Sequence, residues 1–166
     1  MDGKPDCVPK NCFIDIPFHR QEEAAWCGPA VVQMISGYYG VSRTQANLAA
    51  AMKTGNITDV GMLTRLFNVF DYRVNVTRGG DPKEKLEILL DTVCRHGTPV
   101  VVLQRTTVND TTYGHYRIVV GYDLGRVFVI DPIYGLASID VNEFYGLWRH
   151  NAQVESDNVA LTPIPI

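Results

Sequence analysis

The rhythm of apolar and polar positions changes near the middle of the chain. From Cys27 to Gly40 the residues run CGPAVVQMISGYYG, apolar nearly all round, which predicts a buried helix. Pro29 suits its first turn and Gly40 its stop. Ser42-Arg-Thr-Gln45 reads as a capping box opening a second helix that reaches about Met52, with Gly55 as its stop. A third helix is expected from Val60 to Phe70. Tyr72 to Thr77 alternates like a half-buried strand. Asp81-Pro-Lys-Glu84 supplies a cap, a proline in the first turn and an acidic residue there, so a helix should run to about Arg95 and stop at Gly97.

Beyond Gly97 the β-branched and aromatic residues take over. Pro99–Gln104, His115–Tyr122 and Arg126–Asp131 read as strands. The polar stretch 105–114 reads as a long loop, a lid or a binding loop. Asp140-Val-Asn-Glu143 caps a short helix ending near Trp148 and Arg149. An edge strand is expected at Val159–Thr162, ahead of Pro163 and Pro165. Before the first helix lies an irregular arm with one extended piece, Cys12–Pro17. Helices first and strands later predict an α+β fold, with helices packed on an antiparallel sheet. The expected division is one domain over 1–166: a flexible arm at 1–11, a mainly helical half at 12–98 and a mainly β half at 99–166.

Composition narrows the function classes. A chain of 166 residues suits one domain, and 46% hydrophobic with 20% charged residues excludes a disordered one. The net charge of −3 argues against a nucleic-acid partner. No apolar run approaches the roughly 18 residues of a membrane span. Met1–Asp6 has no signal-peptide pattern, so a cytoplasmic location is expected unless residue 1 is a processed end, which would imply a secreted or cell-envelope protein. Cys7 and Cys12 either pair outside the cell or stay free thiols, and Cys94 is expected to be buried in its helix. No cofactor or metal is expected. Arg78-Gly-Gly-Asp81 is not a phosphate loop, and Cys7, Cys12 and His19 make a poor zinc set.

Cys27 carries the most chemistry. It stands where the chain enters the apolar helix, and free N–H groups with partial positive charge at a helix N-terminus favour a thiolate. Gly28 would let a substrate backbone approach. Gln21 precedes Cys27 by six residues, and its amide is a candidate partner of the Cys27 N–H in an oxyanion hole. Of the four histidines, His115 differs by opening an apolar strand after Gly114. If Asp123-Leu-Gly125 is a three-residue loop, Tyr122 faces Arg126 and Arg117 lies opposite Asp131. His115 then shares a face with Arg117 and reaches Asp131 diagonally. A two-residue loop would put His115 and Asp131 on opposite faces. Together they would form an imidazole with a carboxylate behind it.

The ordered set Gln21-x5-Cys27-Gly-Pro-Ala30, Tyr38-Tyr-Gly40, Gly114-His-Tyr116, Gly121-Tyr-Asp123 and Asp131-Pro132 resembles the papain-like cysteine peptidases of the bacteriocin-processing, double-glycine-leader type. The resemblance spans roughly residues 12 to 149 and points to a stand-alone relative. It implies a papain-like fold with its helical and sheet halves around one cleft. Cys27 would be the nucleophile, His115 the general base and acid, Asp131 the orienter and Gln21 the oxyanion donor. Trp26, Gly28 and Gly114 would contact a peptide or protein substrate. The same thioester chemistry also serves acyltransferases, transglutaminase-like enzymes and toxins. A peptide-binding module without catalysis is the remaining alternative.

Overall fold

The computed structural model describes residues 11–52, 58–149 and 157–166. Cys7, Gly55, His150 and nearly all of the N-terminal arm lie outside them. Among the described residues the order is β1 (Asn11–Phe13), α1 (Cys27–Tyr38), α2 (Gln45–Met52), α3 (Val60–Val69), β2 (Tyr72–Thr77), α4 (Pro82–His96), β3 (Val100–Val108), β4 (Thr111–Asp123), β5 (Arg126–Asp131), β6 (Gly135–Asp140), α5 (Val141–Trp148) and β7 (Ala160–Pro165).

Most helix starts follow their local chemistry. Asp81 accepts the Glu84 N–H and Gly97 closes α4 at φ 61°, where a side chain would be strained. Asp59 and Asp140 cap α3 and α5 in the same way. The start of α2 differs from expectation. Thr44, not Ser42, accepts the first-turn N–H, from Asn47 at 3.2 Å. Gln45 is turned inward, so the expected capping box does not form.

The strands make one antiparallel sheet in the order β2-β7-β3-β4-β5-β6, with β1 joined to β4. Helices cover both faces. Val101, Leu103, Tyr116, Ile118 and Val120 pack with α1, α2 and α3. Their neighbours Val100, Val102 and Val119 pack instead with α4 and α5. Successive strand residues point to opposite faces, so a sheet buried on both sides reads as an unbroken apolar run.

Two expectations about the β half are corrected, and one strand is added. Residues 105–114 are not a loop. β3 and β4 continue as a paired ribbon from Arg105↔Gly114 to Val108↔Thr111, turning at Asn109 and Asp110 with φ of 49° and 62°. Thr and Val favour the ladder, and Asn and Asp tolerate the left-handed turn. The strand β6, whose residues form no long apolar run, was not expected. It pairs with β5 from Arg126↔Asp140 to Asp131↔Gly135.

Finally, β7 is an inner strand, between β2 and β3. Its prolines cost no ladder bond. The N–H of Ile166 points to Asp71, on the β2 side, while Val159 faces Leu103 on the β3 side. Odd-numbered positions therefore face β3, and the β3–β7 pairing stops at Val101↔Leu161, before Pro163 and Pro165.

Candidate active site

Cys27 is the first residue of α1 and is half-buried. Trp26 precedes it without a side-chain cap, and the first turn carries no acidic residue. Pro29 lacks an N–H of its own. The free N–H groups at this helix end are thus not consumed by a capping side chain. The glycine that follows has a packing reason. A Cβ on Gly28 would lie 2.7 Å from Thr58 Oγ1, so the space foreseen for a substrate backbone is occupied by Thr58. Tyr116 in turn donates its hydroxyl to the Thr58 carbonyl at 2.9 Å, tying the helix N-terminus to β4.

His115 and Asp131 meet as expected, but by a different route. The β4–β5 connection is a two-residue turn, Leu124-Gly125, with Asp123 opposite Arg126. By itself that turn sends His115 and Asp131 to opposite faces. A bulge between Val119 and Gly121 shifts the register back by one, giving Ile118↔Ile130. Arg117 then falls level with Asp131. The bulge coincides with the seat of β1. Cys12 lies opposite Tyr122, and the Ile14 N–H reaches the Val120 carbonyl at 2.8 Å. A Cβ on Gly121 would come within 2.3 Å of the Cys12 carbonyl oxygen, so only glycine allows β1 that close.

Both groups are buried, His115 at 2% and Asp131 at 3% exposure. His115 Nε2 lies 3.0 Å from Asp131 Oδ1, which leaves Nδ1 as the nitrogen for Cys27. Oδ1 also accepts the N–H groups of Ile133 and Tyr134, at 2.7 and 3.3 Å. Burial lowers the His115 pKa, but hydrogen bonds with Asp131 and Cys27 and the charges of both outweigh it. The net effect lies above the ordinary imidazole value. Burial pushes the Asp131 carboxyl up. The hydrogen bond and charge of His115, the Ile133 N–H and the Arg117 guanidinium outweigh it and hold the carboxyl well below the usual carboxylate range. Cys27 thus stands beside an imidazole that is biased toward its charged form.

Gln21 sits on the segment leading to Cys27. Its backbone N–H donates to the Pro132 carbonyl at 2.8 Å, beside Asp131. Its side-chain Nε2 donates to the Glu23 and Ala24 carbonyls at 3.0 and 2.9 Å, while Oε1 is buried without a partner. Both amide hydrogens are therefore directed into its own loop. Sequence reasoning missed the residue that holds this segment. Buried Gln45 donates to the Arg20 carbonyl at 2.8 Å and accepts the Glu22 N–H at 2.9 Å, with Gln33 behind it. A glutamine on the inner face of a mostly apolar helix was the available signal. Trp26 is half-buried at the helix entry. Gly114 lies opposite Arg105 in the ribbon.

The cysteines also sort differently from expectation. Cys12 is bonded to Cys94, 82 residues away, so Cys94 is not a free thiol. Cys27 is the free cysteine among the described residues. None of those residues group three or more His, Cys, Asp or Glu in a way that would hold a metal ion. No helix among them is long and apolar enough to cross a membrane.

Known proteins share this architecture. A double glycine motif protease from an AMS/PCAT transporter, solved with its leader peptide, superposes with a TM-score of 0.67 at 14% identity, over 93% of this chain and 94% of that one. A C39-like peptidase from Bacillus anthracis gives 0.66 at 16%, over 93% and 98%. The peptidase domain of Streptococcus ComA gives 0.65 at 17%, over 89% and 96%. No curated protein sequence matches. The family model described as Peptidase_C39 like matches residues 13–156, and the chain belongs to that family as a cysteine peptidase with a papain-like α+β fold.

Proposed function

We propose that the chain hydrolyses peptide bonds in a peptide or protein substrate through a thioester on Cys27, with His115 as base and acid and Asp131 as its orienter. The observation that carries this reading is the buried His115–Asp131 pair, 3.0 Å apart, with Cys27 close enough to help raise the His115 pKa. The Cys27 thiolate attacks the scissile carbonyl carbon and forms a tetrahedral oxyanion. The Cys27 N–H at the uncapped start of α1 faces that charge. As the C–N bond breaks, imidazolium gives its proton to the leaving amine. His115 then takes a proton from water, hydroxide adds to the thioester, and the C–S bond breaks to release a carboxylate.

Gln21 is the second oxyanion donor in this reading, and substrate must draw its amide away from the Glu23 and Ala24 carbonyls. Trp26 and Gly114 flank the reacting groups as substrate contacts. Leader-type peptides are the first candidates, because one structural relative was solved with such a peptide. A peptide library incubated with wild type and Cys27→Ala tests the proposal. Cleavage by wild type and its loss in Cys27→Ala are expected. Equal cleavage by both would overturn the assignment.

A further inference from the structure

We infer that Arg117 is a positioning residue for catalysis: its guanidinium clamps the second carboxylate oxygen of Asp131, so that the first stays turned toward His115. The inference rests on the Cys27–His115–Asp131 reading above. The two oxygens of Asp131 are used unequally. Oδ1 accepts from His115, Ile133 and Tyr134. Oδ2 is served by Arg117 Nε at 2.8 Å.

Arg117 is itself held. Its Nη1 donates to Gln104 Oε1 at 3.3 Å and to the Arg105 carbonyl at 3.4 Å. Gln104, fully buried, donates through Nε2 to the Phe144 carbonyl of α5 at 3.4 Å. A chain of contacts thus runs from α5 through β3 and β4 to the carboxylate. The charged and titratable groups around it are Cys27, His115, Asp131, Arg117 and, on β3, Arg105, whose Nη2 holds the Gly146 carbonyl.

Two consequences follow from this geometry. First, the Ile133 and Tyr134 N–H groups hold Oδ1 while the guanidinium holds Oδ2, so the carboxylate plane is fixed from both sides, and losing Arg117 leaves it fixed at one oxygen only. The planar fork of arginine is itself fixed at its far side by Gln104, whereas lysine supplies a point charge without the fork. Second, with Arg117 gone, Oδ2 would be buried without a donor, and the carboxyl would take up a proton more readily. The carboxylate would then hold the His115 ring less firmly in the orientation that faces Cys27. An arginine that merely braces the sheet would leave kcat of the folded protein untouched.

The test measures the rate of Cys27 alkylation by iodoacetamide at neutral pH, together with kcat and KM on a peptide that wild type cleaves. Arg117→Met should lower kcat by roughly 10–100-fold with little change in KM. It should also slow alkylation of Cys27 at neutral pH. Arg117→Lys should recover part of both. Adding Arg117→Met to Asp131→Asn should change nothing further, because the carboxylate it serves is already gone.

That last comparison also decides the matter if Arg117→Met alone does not fold, since the double variant removes cation and anion together. A folded Arg117→Met protein with the wild-type alkylation rate and kcat would overturn the inference. So would an equal added loss in the Asp131→Asn background. Failure of the triad reading looks different: wild-type Cys27 would show no selective alkylation, and Cys27→Ala would still cleave peptide.

Discussion

Replacing both Cys12 and Cys94 by serine removes a cross-link that closes a span of 82 residues. In the chain-entropy picture a loop of that size raises the free energy of the unfolded state by about 4.5 kcal/mol. The native state loses little else at the site, because β1 keeps its ladder to β4 from Asn11↔Asp123 to Phe13↔Gly121. With a urea m-value of about 2 kcal/mol/M for a domain of this size, the midpoint should fall by about 2 M. The assay is equilibrium urea unfolding followed by circular dichroism, without reductant, paired with a non-reducing peptide map of wild type. Hydrolysis by the folded double variant should persist. The segment carrying Gln21 is anchored separately by Gln45 and by the Pro132 carbonyl. A midpoint within about 0.3 M of wild type would refute the reasoning. A map showing Cys7 bonded to either partner would refute it as well.

Gly121→Ala places a methyl 2.3 Å from the Cys12 carbonyl oxygen and should destabilise by about 1–3 kcal/mol as β1 is pushed off, seen as a lower urea midpoint. Gln45→Leu strands the Arg20 carbonyl and the Glu22 N–H and should cost about 2–4 kcal/mol. Its kcat should fall as well, because the Gln21 segment loosens, and steady-state kinetics on the folded fraction checks this. The depressed Asp131 pKa makes a contribution to stability that is present above the unfolded carboxyl pKa and is lost as pH falls toward the folded value. The stability gap between wild type and Asp131→Asn should therefore shrink below about pH 4, and, because Asp131 also raises the His115 pKa, it should narrow again as pH rises through the folded imidazole value, as urea midpoints across pH would record. His115 has the opposite sign. Its raised pKa adds stability that is full below the unfolded imidazole pKa and lost as pH rises through the folded one.

The parts of this site that could be read from sequence are those that local chemistry encodes. Pro29 within an apolar run announces the helix that begins at Cys27, and Asp81 with Pro82 announces α4. The β-branched runs announce β4 and β5, and with them the strands that carry His115 and Asp131. Their meeting was also foreseen, but on a three-residue loop that the chain does not make. The turn is Leu124-Gly125, and the compensating bulge at Val120 sits where β1 docks on Gly121. That docking involves residues more than a hundred positions apart, so no local rhythm announces it.

By itself, the sequence determined the class of fold, the helix that presents Cys27, and the strands bearing its two partners, because helix and strand periods and end caps act over a few residues. The tertiary structure alone decided who pairs with whom. It joined Cys12 to Cys94, placed β7 inside the sheet rather than at its edge, and turned Gln45 from a cap into the anchor of the Gln21 segment. The physical reason is common to all three. A disulfide, a strand neighbour or a buried polar contact is chosen by which surfaces meet when the core closes, and that choice depends on the whole chain rather than on any short stretch of it.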